Sequence, residues 1–315
     1  MARAPKTKFW KEVRLEIHPS LVEAASNFLI EEGSPGIMQK DLKGGGAKRE
    51  ALIAYFPDDR SFDSIKQEVR IYLQSICKSR RTSFILSHRT IREEKWAEAW
   101  KENFKPMEIT PRMVIKPPWE KWAKKKDQIV IEIDPGMAFG TGTHPSTQMC
   151  LRLLEEFIPS FPKQPSLLDV GTGSGILSIA AHKLGIQKIL AVDTDPVAIK
   201  CARANARANH IKDGILFRAG SIGGLKRTFD LVVANLLPQE ILSLADDLPP
   251  CVAPQGLLIL SGLLQRQKKE IAGVFVRRGF AAIGPRKSKG WASLVLKRLK
   301  APKMPIGTHR TPTLN

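Results

Sequence analysis

The residues with the clearest chemical capacity lie in LLDVGTGSGILS. There the apolar run Leu167–Val170 passes directly into Gly171-Thr172-Gly173-Ser174-Gly175, and helical spacing begins at Ile176. Glycine permits a tight turn and leaves no Cβ between the backbone and a ligand. The next apolar run ends in Val192-Asp193-Thr194-Asp195-Pro196, which places Asp193 22 positions beyond Gly171. A carboxylate at such a strand end can accept both hydroxyls of a ribose. Asp195 before Pro196 reads instead as a helix N-cap with proline in the first turn. A third polar group, Asn235, closes FDLVVAN, at the sheet edge where open α/β folds bind their ligands. These spacings predict a nucleoside site. Ile176 stands where a dinucleotide fingerprint needs its third glycine, so the pattern leans away from NAD. A helix N-terminus suits a pyrophosphate and offers little to a nucleoside that carries none.

The elements that must position these groups alternate. Strands are predicted at Ser166–Val170, Lys188–Val192, Ile215–Arg218, Leu231–Ala234 and Leu257–Leu260. Helices are predicted at Ile176–Leu184, Val197–Asn209, Gln239–Leu248 and Gln265–Arg278. Alternation of this kind builds a parallel sheet covered on both faces. Ala281–Ile283 and Trp291–Leu296 read as two closing strands around the basic loop GPRKSKG, and an antiparallel addition to such a sheet is permitted. The expectation is an α/β Rossmann-like domain with a mostly parallel seven-stranded sheet.

A small α+β unit precedes it. Strands are expected at Phe9–Ile17, Ala51–Phe56 and Ser83–Leu86, and helices at Leu21–Glu31 and Phe62–Cys77. The predicted division is 1–90 for this unit, 91–128 for a linker helix and tryptophan-rich connection, 129–299 for the nucleoside-binding domain, and 300–315 for a disordered basic tail. The linker helix is expected over Glu93–Phe104. Trp96, Trp100, Trp119 and Trp122 all fall in the connection, where packing between two units explains them better than substrate contact.

The formal net charge of the 315 residues is +19, and it is unevenly spread. Residues 131–265 hold 11 basic and 12 acidic residues, whereas 266–315 hold 13 and 1. A tail so basic is attracted to nucleic acid or another polyanion, although a charge run is also an ordinary solvated surface. Cys77, Cys150, Cys201 and Cys251 are scattered without C-x-x-C pairs, so free thiols are expected and neither a zinc site nor a disulfide framework is. No run of 18 apolar residues occurs, and the basic N-terminus is followed by no apolar stretch. The reading is a reduced, cytoplasmic protein without a membrane span, metal or secretory signal.

Glycine turn, ribose acid and a polar residue after the fourth strand together resemble the class I methyltransferases, which use S-adenosyl-L-methionine. The upstream string DPGMAFGTGTH, with WAEAWKENFKPMEI and VVANLL, is similar more narrowly to the PrmA family over nearly the whole chain. Members of that family methylate large-subunit ribosomal protein L-eleven. The resemblance implies a small substrate-recognition domain, a linking helix and a methyltransferase domain. It implies cofactor contacts at Thr147, Gly171, Asp193 and Asn235, and the glycine turn adds Gly173. One departure is Ser146, where the family usually has threonine.

The activity implied is transfer of methyl groups to lysine ε-amino and/or N-terminal α-amino groups of that ribosomal protein. The charge of the basic tail, which is less typical of the family, adds ribosomal RNA as a candidate contact. Asn235 is the candidate for orienting the amine or the methionine end of the cofactor. The chain has Asn235-Leu236-Leu237-Pro238 where relatives acting on planar bases often have N-P-P-Y, which favours an aliphatic amine. His144 reads as a loop-holding residue ahead of a proton relay. The alternatives are an RNA methyltransferase and a ribosome-associated binding module that retains the cofactor fold.

Overall fold

The computed structural model describes residues 9–34, 37–41, 49–59, 61–77, 83–92, 104–134, 141–288 and 290–300. The helix expected over Glu93–Phe104, except for Phe104, and the tail beyond Lys300 lie outside the described residues.

The first unit runs β1 (Phe9–Ile17), helix Val22–Glu31, β2 (Ile37–Asp41), β3 (Glu50–Pro57), helix Phe62–Ile76 and β4 (Ile85–Arg92). Its strands lie in the order β2-β3-β1-β4, and every pair is antiparallel. This is the ferredoxin-like arrangement. The period of two decides its packing. Val13, Leu15 and Ile17 of β1 and Leu52, Ala54 and Phe56 of β3 point to one face, where Leu29, Val69 and Leu73 of the helices cover them. Trp10, Ile53 and Tyr55 point to the other face and meet Ile91 and Phe104. Strand β2 was not expected: it is a short, largely polar segment just past a glycine-rich break. The last strand begins at Ile85 rather than Ser83 and runs on to Arg92.

A three-stranded sheet follows, formed by β5 (Met107–Thr110), β6 (Met113–Lys116) and β7 (Ile129–Glu132). Ile109, Met113, Ile115 and Ile131 share one apolar cluster with Leu151, Leu154, Ile176 and Ile179. These three strands, which lie on both sides of position 129, thus share a core with the helices that follow. Trp122 packs locally: its indole N–H donates to Gln128 Oε1 at 2.9 Å.

The large sheet contains β8 (Ser166–Val170), β9 (Lys188–Asp193), β10 (Ile215–Ala219), β11 (Phe229–Asn235), β12 (Val252–Leu264), β13 (Phe280–Ser288) and β14 (Trp291–Arg298). Their order is β10-β9-β8-β11-β12-β14-β13. The first five are parallel, and β14 is antiparallel to both β12 and β13. Its strands are apolar on both faces, as a doubly covered sheet requires. Leu231 and Val233 face one cluster beneath helices Pro145–Phe157, Ile176–Lys183 and Pro196–Ala208. Val232 and Ala234 face the other, beneath Pro238–Ser243 and Lys268–Val276.

The strand order turns outward in both directions from the β8/β11 pair. That reversal opens a crevice beyond the carboxyl ends of the two strands. Two expected features are longer in the structure. β12 spans 13 residues where only Leu257–Leu260 was expected. Most of the basic stretch GPRKSKG belongs to β13 rather than to a loop. As the outer strand of the sheet, β13 tolerates charge there and is protected by it from pairing with other chains.

Candidate active site

Gly171, Gly173 and Gly175 have φ of 71°, 53° and 81°, a region that glycine enters without a Cβ penalty. At Gly171 space is limiting as well: a Cβ there would lie 2.2 Å from Leu236 Cδ2. The turn is stitched to the neighbouring strand, since the N–H groups of Gly171 and Thr172 both donate to Val192 O, at 2.9 and 3.0 Å. Gly173 N–H donates to Asp193 Oδ2 at 2.8 Å, and Asp195 N–H donates to Asp193 Oδ1 at 3.0 Å. An ionised carboxylate has about four acceptor positions. Two here hold the Asp193 side chain still, and two remain, one on each oxygen. That is the acceptor set a ribose diol needs. Asp195 caps the next helix through Val197 N–H at 2.8 Å, as its spacing predicts.

Beneath the turn lies Asp169, fully buried. Its Oδ2 accepts the hydroxyls of Thr172 and Ser178, both at 2.7 Å, while Oδ1 has no partner among the described residues. Burial raises its pKa from 3.8 to about 6, against the two hydroxyl donors, which lower it. Asn205 ties the turn to the segment upstream of the cleft. Its Nδ2 donates to Ser174 O at 2.9 Å and its Oδ1 accepts Asp134 N–H at 3.0 Å. Asn209, one helical turn later, accepts Glu132 N–H at 2.9 Å.

The opposite wall is the start of the helix Pro145–Phe157. His144 is its N-cap: Nδ1 accepts Ser146 N–H at 3.3 Å and lies 2.6 Å from Ser146 Oγ. Burial lowers the His144 pKa to about 4, so the ring is neutral near pH 7. With Nδ1 accepting, the ring proton is assigned to Nε2. The imidazole meets Trp291 edge-on, with centroids 4.4 Å apart. Ser261 Oγ donates to Ser146 O at 3.1 Å and lies 2.7 Å from Ser293 Oγ, which fixes this helix start to β12 and β14.

The side chains converge on a cleft of about 530 Å³, within the usual range for a small-molecule site. Gly171, Gly173, Asp193 and Asn235 all line it. Thr147 does not. It is fully buried, and its Oγ1 accepts a hydrogen bond from Asn235 Nδ2 at 3.2 Å. Thr147 thus reaches the cleft through Asn235, whose Oδ1 is buried without a partner among the described residues.

Sequence reasoning missed several lining residues: Ser221 past β10, Glu240, Gly262, Trp291, and Gly33 and Ser34 of the first unit. Ser221 had a usable signal, because it follows a parallel strand at the same sheet edge. Trp291 and Ser34 had none, since only the three-dimensional arrangement brings them to the cleft.

Residues 9–299 match the family model described as ribosomal protein L11 methyltransferase (PrmA). The chain is 39% identical over 288 residues to the ribosomal protein L11 methyltransferase of Citrifermentans bemidjiense, covering 85% of this chain and 92% of that protein. It is 33% identical over 304 residues to that of Pelobacter propionicus, covering 93% and 98%. The crystal structure of ribosomal protein L11 methylase from Lactobacillus delbrueckii subsp. bulgaricus superposes with a TM-score of 0.58 at 34% identity, covering 62% of this chain and all of that one.

Proposed function

The chain belongs to the ribosomal protein L11 methyltransferase family, and from that membership we propose that it is an S-adenosyl-L-methionine-dependent protein N-methyltransferase acting on lysine ε-amino and/or N-terminal α-amino groups of ribosomal protein L11. When bound, the cofactor supplies a methyl group made electrophilic by its sulfonium. The residues present fit it. Asp193 keeps an acceptor free on each oxygen, Gly171 and Gly173 leave the adjoining wall bare, and Ser221 and Leu236 flank the space between.

One observation carries the reading. Asn235 Oδ1 is buried without a hydrogen bond among the described residues, and the nitrogen of the same amide donates to Thr147 Oγ1. A buried acceptor left unmade is costly, so a site built this way is completed by a donor that arrives with the ligand. An amine N–H is such a donor. Accepting it would point the nitrogen lone pair away from Asn235, and alignment of that kind can lower a barrier by up to ~7–11 kcal/mol. A lysine is neutral in only about one part in 2,500 at pH 7, and the desolvated cleft favours that form. His144 does not collect the proton: the lone pair of its Nδ1 already accepts Ser146 N–H. Water removes it.

A cytoplasmic location fits a ribosomal substrate and four free cysteines, and no helix among the described residues is long and apolar enough to cross a membrane. A second reading, RNA as the methyl acceptor or as a docking partner around the substrate, rests on charge alone, the 13 basic residues against one acidic beyond position 265. The deciding experiment is incubation of the protein with methyl-tritiated cofactor and dissociated large ribosomal subunits. Label in one ribosomal protein supports the first reading. Label confined to RNA replaces it with the second.

A further inference from the structure

Among the described residues that line the cleft, Asp193 and Glu240 carry formal charge, and no lysine or arginine does. This holds in a chain of net charge +19. The two carboxylates differ in what is left for them to do. Both Asp193 oxygens are fixed by backbone N–H groups beside the glycine turn. Glu240 is exposed, and only its Oε2 is engaged, accepting Leu237 N–H at 2.9 Å. Its Oε1 has no hydrogen bond among the described residues. That single bond holds the carboxylate against the backbone two residues beyond Asn235, on the segment that carries the orienting amide.

We propose that Glu240 is the specificity-determining residue that draws a protonated amine into this cleft, while its second oxygen caps the short helix Pro238–Ser243. The inference rests on the amine-methylating reading above. An aliphatic amine arrives as a cation, and a protein this basic repels cations at long range. An exposed carboxylate on the lining of the same cleft as Asn235 offsets that repulsion where it matters. The amine then loses its proton only after leaving bulk water. Glu240 touches the substrate's charge on the way in and takes no part in bond making, so its effect falls on KM rather than on kcat.

Glu240→Gln isolates the charge, because the glutamine Oε1 can still accept Leu237 N–H and keep the cap. With the full-length protein and purified ribosomal protein L11 as substrate, KM for L11 is expected to rise about three- to tenfold while kcat changes by less than about twofold. The gap between wild type and variant is expected to narrow as salt is raised, since the charge is exposed. Cofactor affinity is measured in parallel by calorimetry with S-adenosyl-L-methionine and with S-adenosylhomocysteine, which lacks the sulfonium charge. Unchanged KM for L11 overturns the proposal. Weakened binding of the sulfonium compound alone also overturns it, because Glu240 would then serve the cofactor. Wild-type protein that labels RNA and no amine removes the parent reading, and this one with it.

Discussion

Asn235 and Thr147 lie 88 positions apart and are joined by a hydrogen bond of 3.2 Å, from Asn235 Nδ2 to Thr147 Oγ1. The buried hydroxyl holds the amide nitrogen, and the amide oxygen is left buried without a partner among the described residues. Thr147→Val removes the acceptor and keeps the shape. Losing one such orienting bond is expected to cost roughly 1–3 kcal/mol, or about 5- to 150-fold in kcat. Thr147→Ser is expected to restore most of it. Equal loss in both variants would assign Thr147 to packing.

Asp193 invites a graded test. Asp193→Ala removes the ribose acceptors and the anchor of Gly173 N–H together, so cofactor affinity measured by calorimetry is expected to become undetectable while the circular dichroism spectrum is kept. Asp193→Asn retains one oxygen and is expected to bind with intermediate affinity. An unchanged dissociation constant in the alanine variant removes Asp193 from the site.

His144 is buried, with its pKa lowered to about 4, and its Nδ1 is committed to Ser146. It therefore does not titrate where amines are methylated. His144→Asn keeps an N-cap acceptor, and asparagine is among the best. The shape of log kcat/KM between about pH 6 and pH 9 is expected to be the same in variant and wild type. If an acid-side limb of the wild-type profile disappeared with the imidazole, His144 would be the base after all.

The buried Asp169 makes a prediction about stability. Its pKa is higher in the folded protein, about 6, than the ordinary 3.8. The folded state thus holds the proton more tightly, and the stability this confers is present below about pH 4 and lost as pH rises through about 6. The size is about 3 kcal/mol. Chemical denaturation of wild type and Asp169→Asn at several pH values should show wild type losing ground to the variant over that interval. Parallel profiles would mean that Asp169 is ionised throughout.

Asn205 is 3% exposed and bridges Ser174 O to Asp134 N–H. Asn205→Ala removes both of these hydrogen bonds, and the variant is expected to be less stable by roughly 1–3 kcal/mol. Asn205→Asp can still accept from Asp134 but cannot donate to Ser174, so it is expected to fall between. Urea midpoints of the three proteins test the order.

What could be read from the sequence depended on whether a group's neighbours in space are also its neighbours in the chain. The glycine turn, the Asp195 cap and the strand-end placement of Asp193 and Asn235 are local, and their spacing carried them. The same locality gave the parallel strands of the large sheet, whose apolar runs are covered on both faces. Strand β2 was missed because IMQKD has little apolar periodicity and is held by pairing with β3. The ends of β12 were missed because pairing with other strands defines them: Val252 pairs with Phe229 of β11, and Leu263 and Leu264 pair with Ala292 and Trp291 of β14. Thr147 was expected to contact the ligand, and only the packed helix shows that its hydroxyl also accepts from Asn235.

The order of the large sheet bears on when the protein becomes competent during its own synthesis. β14 is among the last described elements in the chain, yet it lies inside the sheet between β12 and β13. It brings Trp291 to the cleft and Ser293 to the serine that fixes the opposite wall. A nascent chain halted before β14 can form the glycine turn and its partner strand, since domains fold from the N-terminus as they emerge. It has no finished wall against which an amine could settle. A chain that stops short of Trp291 therefore lacks both that wall of the cleft and the serine pair that ties the opposite wall to the sheet.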